Sequence, residues 1–444
     1  MISLSTDLWT ANNSTSYCAI TFHYIDNNWD IVNRILDIIL FPHPHTGDNI
    51  FKYVLSSLED FKLSDKIISI THDNGSNEIK AVQMLQEYYQ IHYSKILYGH
   101  RCVAHIINLI VKVGLHFFEA KLEKIENIVN KLHSSPKFMQ SYKAICGATL
   151  IPLAVKTRWN SKYLMISAIN KNIDSIHELS DQGIIGEDIT PTFDEYSFFL
   201  ELEKFLLPFY QITVEISTHS PTIGMTLLFF NDILENLKNH TVAYSNLSIK
   251  EAATIMLKKA EEYSHNIFTP YNYAASLLDP RIKNTLITIL KDDVADKYLD
   301  IFKINFAKYT SEPMRIIFII NNISNYKTIS LMQGLKKRKG ASNGTGTNDN
   351  NQLTTYLNEP LAPEITNILD WWRGNADRFP HLAMMARDYL CQQTTSVASE
   401  RAFSLAGNIM TKLRNRMAPS MLKQCMSLSS WDIDIMSIRD EIWQ

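Results

Sequence analysis

The 444-residue chain is short of the residues that most often break helices, with 14 Gly and 14 Pro, below the ~7% and ~5% usual in globular chains. Few turns over so much chain point to long helices. Cysteine is equally sparse: five thiols, at 18, 102, 146, 391 and 425, are odd in number and scattered, which excludes a disulfide framework and fits a reducing compartment. No apolar run reaches the ~18 residues that a membrane span requires. The first residues show neither the basic nor the apolar region of a signal peptide. An excess of positive charge is also missing, since 43 Lys+Arg face 46 Asp+Glu for a net −3. That excludes a generally basic nucleic-acid coat, though not a local basic groove. What the chain does have is 45% hydrophobic residues, enough for a sizeable core, and length for two to four domains.

The pattern changes along the chain. Ile2 to Trp9 alternates and reads as a core strand, and Tyr17 to Tyr24 reads as a second, antiparallel to it across an Asn12-Asn13-Ser14 turn. A helical period follows at Ile50, Val54, Leu58 and Phe61, then a short buried strand, Lys66 to Thr71, ending at Asp73-Asn74-Gly75-Ser76-Asn77. Ser76 or Asn77 is the expected cap of the next helix. A strand near Ile96–Cys102 runs into an apolar helix from Val103 to Leu115, so the first ~115 residues read as α/β. From Phe117 to about Leu335 the pattern is helix after helix. Lys336 to Asn351 is a basic and polar stretch read as an exposed, poorly ordered linker, its Lys336-Lys337-Arg338-Lys339 run a candidate nuclear address or phosphate contact. Helices resume after it: Pro363 at a first helical position, Gly374 at an end, and Ile365, Ile368, Leu369 and Trp372 as the stripe between.

Three acids invite chemistry. Asp7 lies among apolar strand residues, where a carboxylate is costly to desolvate unless paired or bound to a cation. Asp73 follows another buried strand, and adjacent strands would bring the two together. With a third carboxylate from a helix they could hold Mg²⁺ for phosphoryl transfer. The plainer readings are a turn or cap on an edge strand for Asp7 and an Asx-turn or helix N-cap for Asp73. Glu400, in Ser396 to Leu405, sits about 200° around its helix from the Ala402, Ala406, Ile409, Leu413 stripe; a first-turn Glu on a Ser396-capped helix is also ordinary. His100, Cys102 and His105 suggest zinc, but no second Cys/His pair stands at finger spacing, and a packed Cys with a hydrogen-bonded His is the alternative. Trp159, beside Arg158, could stack on a base or anchor a core.

Taken in order, these residues carry a specific likeness. Ser5-Thr6-Asp7-Leu8-Trp9-Thr10, Ala19 to Asp26, His72 to Asn77, Arg101 to Leu109, Thr157-Arg158-Trp159-Asn160-Ser161, and Trp371-Trp372 through Ser396 to Ser404 and Arg414-Asn415-Arg416 together resemble a transposase of the hAT superfamily (hobo, Activator, Tam3). The resemblance implies an RNase H-like core interrupted by a long all-helical insertion: 1–115 as the first part of the core, 116–335 as the insertion, 336–352 as the linker, and 353–444 as the C-terminal dimerisation region completing the core. It implies that Asp7, Asp73 and Glu400 are the catalytic, metal-holding acids, with Mg²⁺ or Mn²⁺ as cofactor. Arg158 and Trp159 become DNA contacts, with Trp159 stacking on a flipped base; Cys102 and His105 are structural neighbours of the site; Trp371 and Trp372 support dimerisation. DNA and a second copy are the implied partners, and the nucleus the implied location. Family members usually carry an N-terminal BED zinc finger; its spacing is not found in this sequence, so the chain is expected to be a fragment or a host-retained copy. Two functions stay open: a metal-dependent DNA-cleaving and strand-transfer core, or a non-catalytic nuclear protein using the same fold to dimerise and bind DNA or partners.

Overall fold

In the computed structural model the described residues are 1–11, 15–147, 150–155, 158–218, 220–243, 246–290, 292–310, 349–410 and 417–431. The 12–14 turn, Thr157, the 336–348 part of the linker with its basic run, and the Arg414–Arg416 motif lie outside them. The helix Asp349–Asn358 takes up the end of the expected linker. The chain forms two compact units: Met1–Cys102 with His219–Leu228 and Ile267–Gln444, and Val103–Thr218 with Phe229–Asn266. The helices Pro270–Leu277 and Asp292–Thr310, expected in the insertion, therefore belong with the sheet.

The first unit is built on five strands, β1 (Ile2–Thr10), β2 (Ser16–Ile25), β3 (Ile31–Leu40), β4 (Ile67–His72) and β5 (Tyr98–Arg101), in the order β3-β2-β1-β4-β5. β1 pairs antiparallel with β2, as the first two runs predicted, and β2 pairs antiparallel with β3; β1–β4 and β4–β5 are parallel. Sequence reading gave no third strand. A bulge explains the miss: Ile20 pairs with Asp37 but Thr21 with Ile35, so Leu36 is the extra residue and the two-residue alternation breaks there.

One face of this sheet is apolar. Leu4, Cys18, Ile20, Phe22, Ile67 and Ile70 pack against Ile50, Val54 and Leu58 of α1 (Gly47–Asp60) and Ala81, Val82, Leu85 and Tyr89 of α2 (Ser76–Tyr93). α1 is capped by Thr46, whose side chain accepts from the Asn49 N–H. α2 departs from the expected Ser76 or Asn77 cap: its cap is Gly75, without a side-chain bond. On the other face, Ala11, Tyr17, Ala19, Ile35 and Ile38 meet Ala402, Phe403, Ala406 and Met410 of the helix Val397–Ile409, with Leu422 and Met426 of the helix Pro419–Ser430. Phe403 thus joins the alanine stripe, and the buried face of the Glu400 helix is wider than its sequence pattern suggested.

Within the described residues the second unit is all helical. α3 (Val103–His116) is apolar on most sides, and the helix Phe193–Glu215 opens with a Thr192–Glu195 capping box and buries Phe198, Phe199, Leu202, Phe205 and Phe209. Among the described residues no single helix is long and apolar enough to cross a membrane.

The C-terminal stripe needs one correction. The helix there runs Ile368–Asn375, capped by the Asn367 side chain on the Leu369 and Asp370 N–H groups, so Pro363 is outside it and Ile365 is 97% exposed. An Asn with two N–H partners outcompetes Pro363 as the starting signal.

Candidate metal centre

On β1 and β4 alternate residues share a face. Ser3 pairs with Ser69 and Ser5 with Thr71; carried two residues further, that register sets Asp7 level with Asp73, just past the end of β4. The residues leading to them are small and polar, and Ser3, Ser5, Ser69 and Thr71 are all fully buried. Their hydroxyls meet the segment that precedes the Glu400 helix: Ser3 Oγ donates to Gln392 Oε1 at 2.9 Å and Thr71 Oγ1 to the Gln393 carbonyl at 2.6 Å. One helical turn on, Ser399 Oγ lies 3.5 Å from Thr21 Oγ1, and the Phe403 ring stacks on Trp9 at 5.6 Å. Ser399 and Phe403 flank Glu400 in sequence, and Ser5 and Trp9 flank Asp7 along its strand face. The Glu400 helix therefore crosses the sheet face that carries Asp7.

The carboxylates of Asp7, Asp73 and Glu78 each present an oxygen within 4.8 Å of the others. Glu400 is half-buried and is not a member of that trio. Sequence reading had Asp7 and Asp73 but missed Glu78, whose only signal was an acid in the first turn of a helix just after Asp73. Glu78 is 2% exposed and its Oε2 accepts the Asp73 N–H at 2.9 Å. Burial first, then the charges of Asp73 and Asp7, push its carboxyl well above the usual carboxylate range. Asp73 Oδ1 also accepts the Gly75 N–H at 2.5 Å, while Asp7 Oδ1 accepts the Leu8 N–H at 2.9 Å. A Cβ on Gly75 would stand 2.9 Å from Asp73 Oδ1 and 2.7 Å from Asn77 Oδ1, so this turn accepts only glycine without adjustment.

Buried histidines border the trio. His72 hydrogen-bonds the Asp73 carbonyl through Nδ1 at 2.6 Å, and burial lowers its pKa to about 4. His23 bridges Ser5 Oγ (2.6 Å) and Asn33 Oδ1 (2.7 Å), and burial lowers it to about 4 as well. Both rings are neutral at pH 7 and act as fixed hydrogen-bond partners. Hard oxygen donors crowded together with one strongly perturbed carboxyl suit Mg²⁺ or Mn²⁺ better than softer metals.

The remaining candidates divide. Cys102 is buried, and its sulfur accepts the Ser396 N–H at 3.3 Å; among the described residues neither it nor His105 joins a metal-competent group. The packed-cysteine reading fits. Ser396 itself makes no side-chain cap. Trp159 opens the helix Trp159–Lys171 in the second unit, where its main-chain N–H donates to Asn108 Oδ1 at 3.2 Å and the residue is 3% exposed. Beside it lies a cavity of about 580 Å³ with Lys112, Arg158, Lys162 and Lys259 on an otherwise largely apolar wall. Trp372 is wholly buried, its indole N–H on the Leu278 carbonyl at 2.9 Å, and Trp371 packs against it and Phe379. Trp372 serves the interior of its own unit and has no surface to offer a partner, whereas Trp371 is half-buried.

Comparison with known proteins agrees with this arrangement. Residues 5–100 match the ZBED1 RNase-like domain, 100–197 the ZBED1 RNase-like helical domain, and 352–431 the hAT family C-terminal dimerisation region. The chain is 27% identical to a putative AC transposase of Zea mays over 97% of its own length and 56% of that protein's. It is 24% identical to the zinc finger BED domain-containing protein RICESLEEPER 2 of Oryza sativa subsp. japonica (97% and 64%). A putative transcriptional regulator, tpeD, of Talaromyces stipitatus is 22% identical (96% and 53%). The chain thus spans little more than half the length of several curated relatives that it matches. Three family regions in order, on a sheet that brings Asp7 and Asp73 together, agree with relatives matched along nearly the whole chain: the chain is similar to hAT-family proteins, and its residues 352–431 match that family's C-terminal dimerisation region.

Proposed function

We propose that this chain is the catalytic part of a hAT-type DNA transposase, with an RNase H-like core that cleaves and joins DNA strands. The observation that carries the reading is that Asp7 on β1 and Asp73, just past the end of the parallel neighbour β4, present carboxylate oxygens within 4.8 Å of one another. Asp7, Asp73 and, from its helix, Glu400 would hold Mg²⁺ or Mn²⁺, which supplies Lewis acidity at the scissile phosphate and at the attacking oxygen. The chain's own part is positional. Gly75 and Glu78 fix the Asp73 turn, and the buried hydroxyls of β1 and β4 seat the segment leading to Glu400. Arg158 and the basic cavity wall are the proposed DNA contacts of the helical unit. Self-association through 352–431 and a nuclear site of action go with this reading.

A second reading, a non-catalytic protein acting through dimerisation and DNA or partner binding, is favoured by relatives named as BED zinc finger proteins and as a transcriptional regulator. Mn²⁺-dependent nicking of duplex DNA from the flanks of the chain's own gene separates the two. Cleavage by the wild type that Asp73→Ala removes supports the enzyme; no cleavage by either, with DNA binding intact, supports the second reading.

A further inference from the structure

We infer that Glu78 is a positioning residue for Asp73: its carboxylate clamps the Asp73 main chain and so aims the Asp73 carboxylate at Asp7. The inference rests on the metal-dependent reading above and deepens it.

The geometry leaves Asp73 without the support of a strand. β4 ends at His72, so the ladder stops at Thr71 toward β1 and at His72 toward β5, short of the functional group on both sides. The turn that follows must be fixed by other means. On the carboxylate side the Gly75 N–H reaches Asp73 Oδ1; on the main-chain side the Asp73 N–H is taken by Glu78 Oε2 at 2.9 Å. His72 holds the Asp73 carbonyl. Both main-chain polar groups of Asp73 are thereby bound by neighbouring side chains, and Glu78 supplies the one from the far side of the turn. Glu78 has little freedom itself: it is in the first turn of α2, 2% exposed, and α2 is anchored on the sheet through Ala81, Val82 and Leu85. A rigid helix start thus sets the position of a ligand on a turn, as outer-shell partners commonly do for metal ligands.

A clamp and a ligand respond differently to substitution. Glu78→Gln keeps a carbonyl oxygen that accepts the Asp73 N–H, whereas Glu78→Met keeps the volume but has no acceptor. Mn²⁺ titrations followed by electron paramagnetic resonance on the full chain, with melting temperature and the amide exchange rate over residues 72–78, test the difference. The expected result is Mn²⁺ affinity within about threefold of wild type for Glu78→Gln, and about 10–100-fold weaker for Glu78→Met, with faster exchange over 72–78. Glu78→Met binding Mn²⁺ as the wild type does overturns the inference. Equal loss in both variants also overturns it, because Glu78 is then a direct ligand. Should Glu78→Met fail to fold, the exchange rate decides: unchanged protection over 72–78 in Glu78→Gln supports the clamp, and lost protection overturns it. Wild-type protein that binds no Mn²⁺, or an Asp73→Asn variant that binds it normally, instead removes the metal-dependent reading and the inference with it.

Discussion

The two faces of one sheet use the same strands for different ends. Toward α1 and α2, β1 and β4 present Leu4, Ile67 and Ile70 in a closed apolar layer. Toward the Glu400 helix they present Ser3, Ser5, Asp7, Ser69 and Thr71, buried for the most part but polar. The first face gains stability from area removed from water. The second gains little, because each buried hydroxyl must be matched by a hydrogen bond to break even. A face that contributes little stability while holding charge is where function is expected. The difference teaches that burial alone does not mark a core: Ser5 and Leu4 are equally hidden and do opposite work.

The sharpest way to break this comparison is to neutralise the polar face. Asp7→Asn or Asp73→Asn should lower Mn²⁺-dependent cleavage about a thousandfold, the several kcal/mol a bound ion contributes to charge stabilisation, while the melting temperature holds or rises. A variant that loses its fold instead would show the carboxylates to be structural. On the opposite face Leu58→Ala, fully buried beside Ile70's layer, should cost about 2–5 kcal/mol in denaturant melts. Its residual folded fraction should cleave normally.

Acid should act on the polar side. His23 is neutral in the fold because burial lowers its pKa to about 4 from 6.5. The unfolded chain therefore binds the extra proton between those values, so stability is full above pH 6.5 and falls as pH drops toward 4. The loss attributable to His23 is about 3 kcal/mol. Melts from pH 7 to 4.5 check it, and His23→Gln should flatten the slope by one proton's share. His100, lowered to about 3, and His72 act in the same direction, so the substituted protein keeps part of the slope.

Much of this arrangement is legible in the sequence, and the failures are local. Alternation exposes β1 because Ser3, Ser5 and Asp7 interleave with Ile2, Leu4 and Leu8, and the same strand names Asp7 as costly. β3 escapes because its bulge at Leu36 resets the period. Ile365 misleads because a helix pattern cannot tell an apolar residue before a cap from one after it. Glu78 escapes for a deeper reason. An acid in a helix's first turn is ordinary in sequence, and only the turn at Gly75, which folds the start of α2 back over Asp73, gives it a task. The meeting of Asp7 and Asp73 needs one pairing between strands that are not consecutive in sequence; the approach of the Glu400 helix to the same sheet depends on a segment more than three hundred residues away.

The smallest expected effect probes that approach. Ser399 is fully buried, with its hydroxyl 3.5 Å from Thr21 Oγ1, a distance at the limit for a hydrogen bond. Removing it with Ser399→Ala should therefore cost no more than about 1 kcal/mol of stability. The Glu400 helix is otherwise seated by Ala402, Phe403, Ala406 and Met410, and near its N-terminal end Ser399 makes a polar contact to β2. If the polar face positions Glu400, Ser399→Ala lowers cleavage severalfold with an almost unchanged melting temperature, and Thr21→Val does the same without an additive loss in the double variant. Unchanged cleavage in both would assign the placement of Glu400 to the Phe403–Trp9 stack. The two faces of the sheet would then differ in what they hold and not in how they hold it.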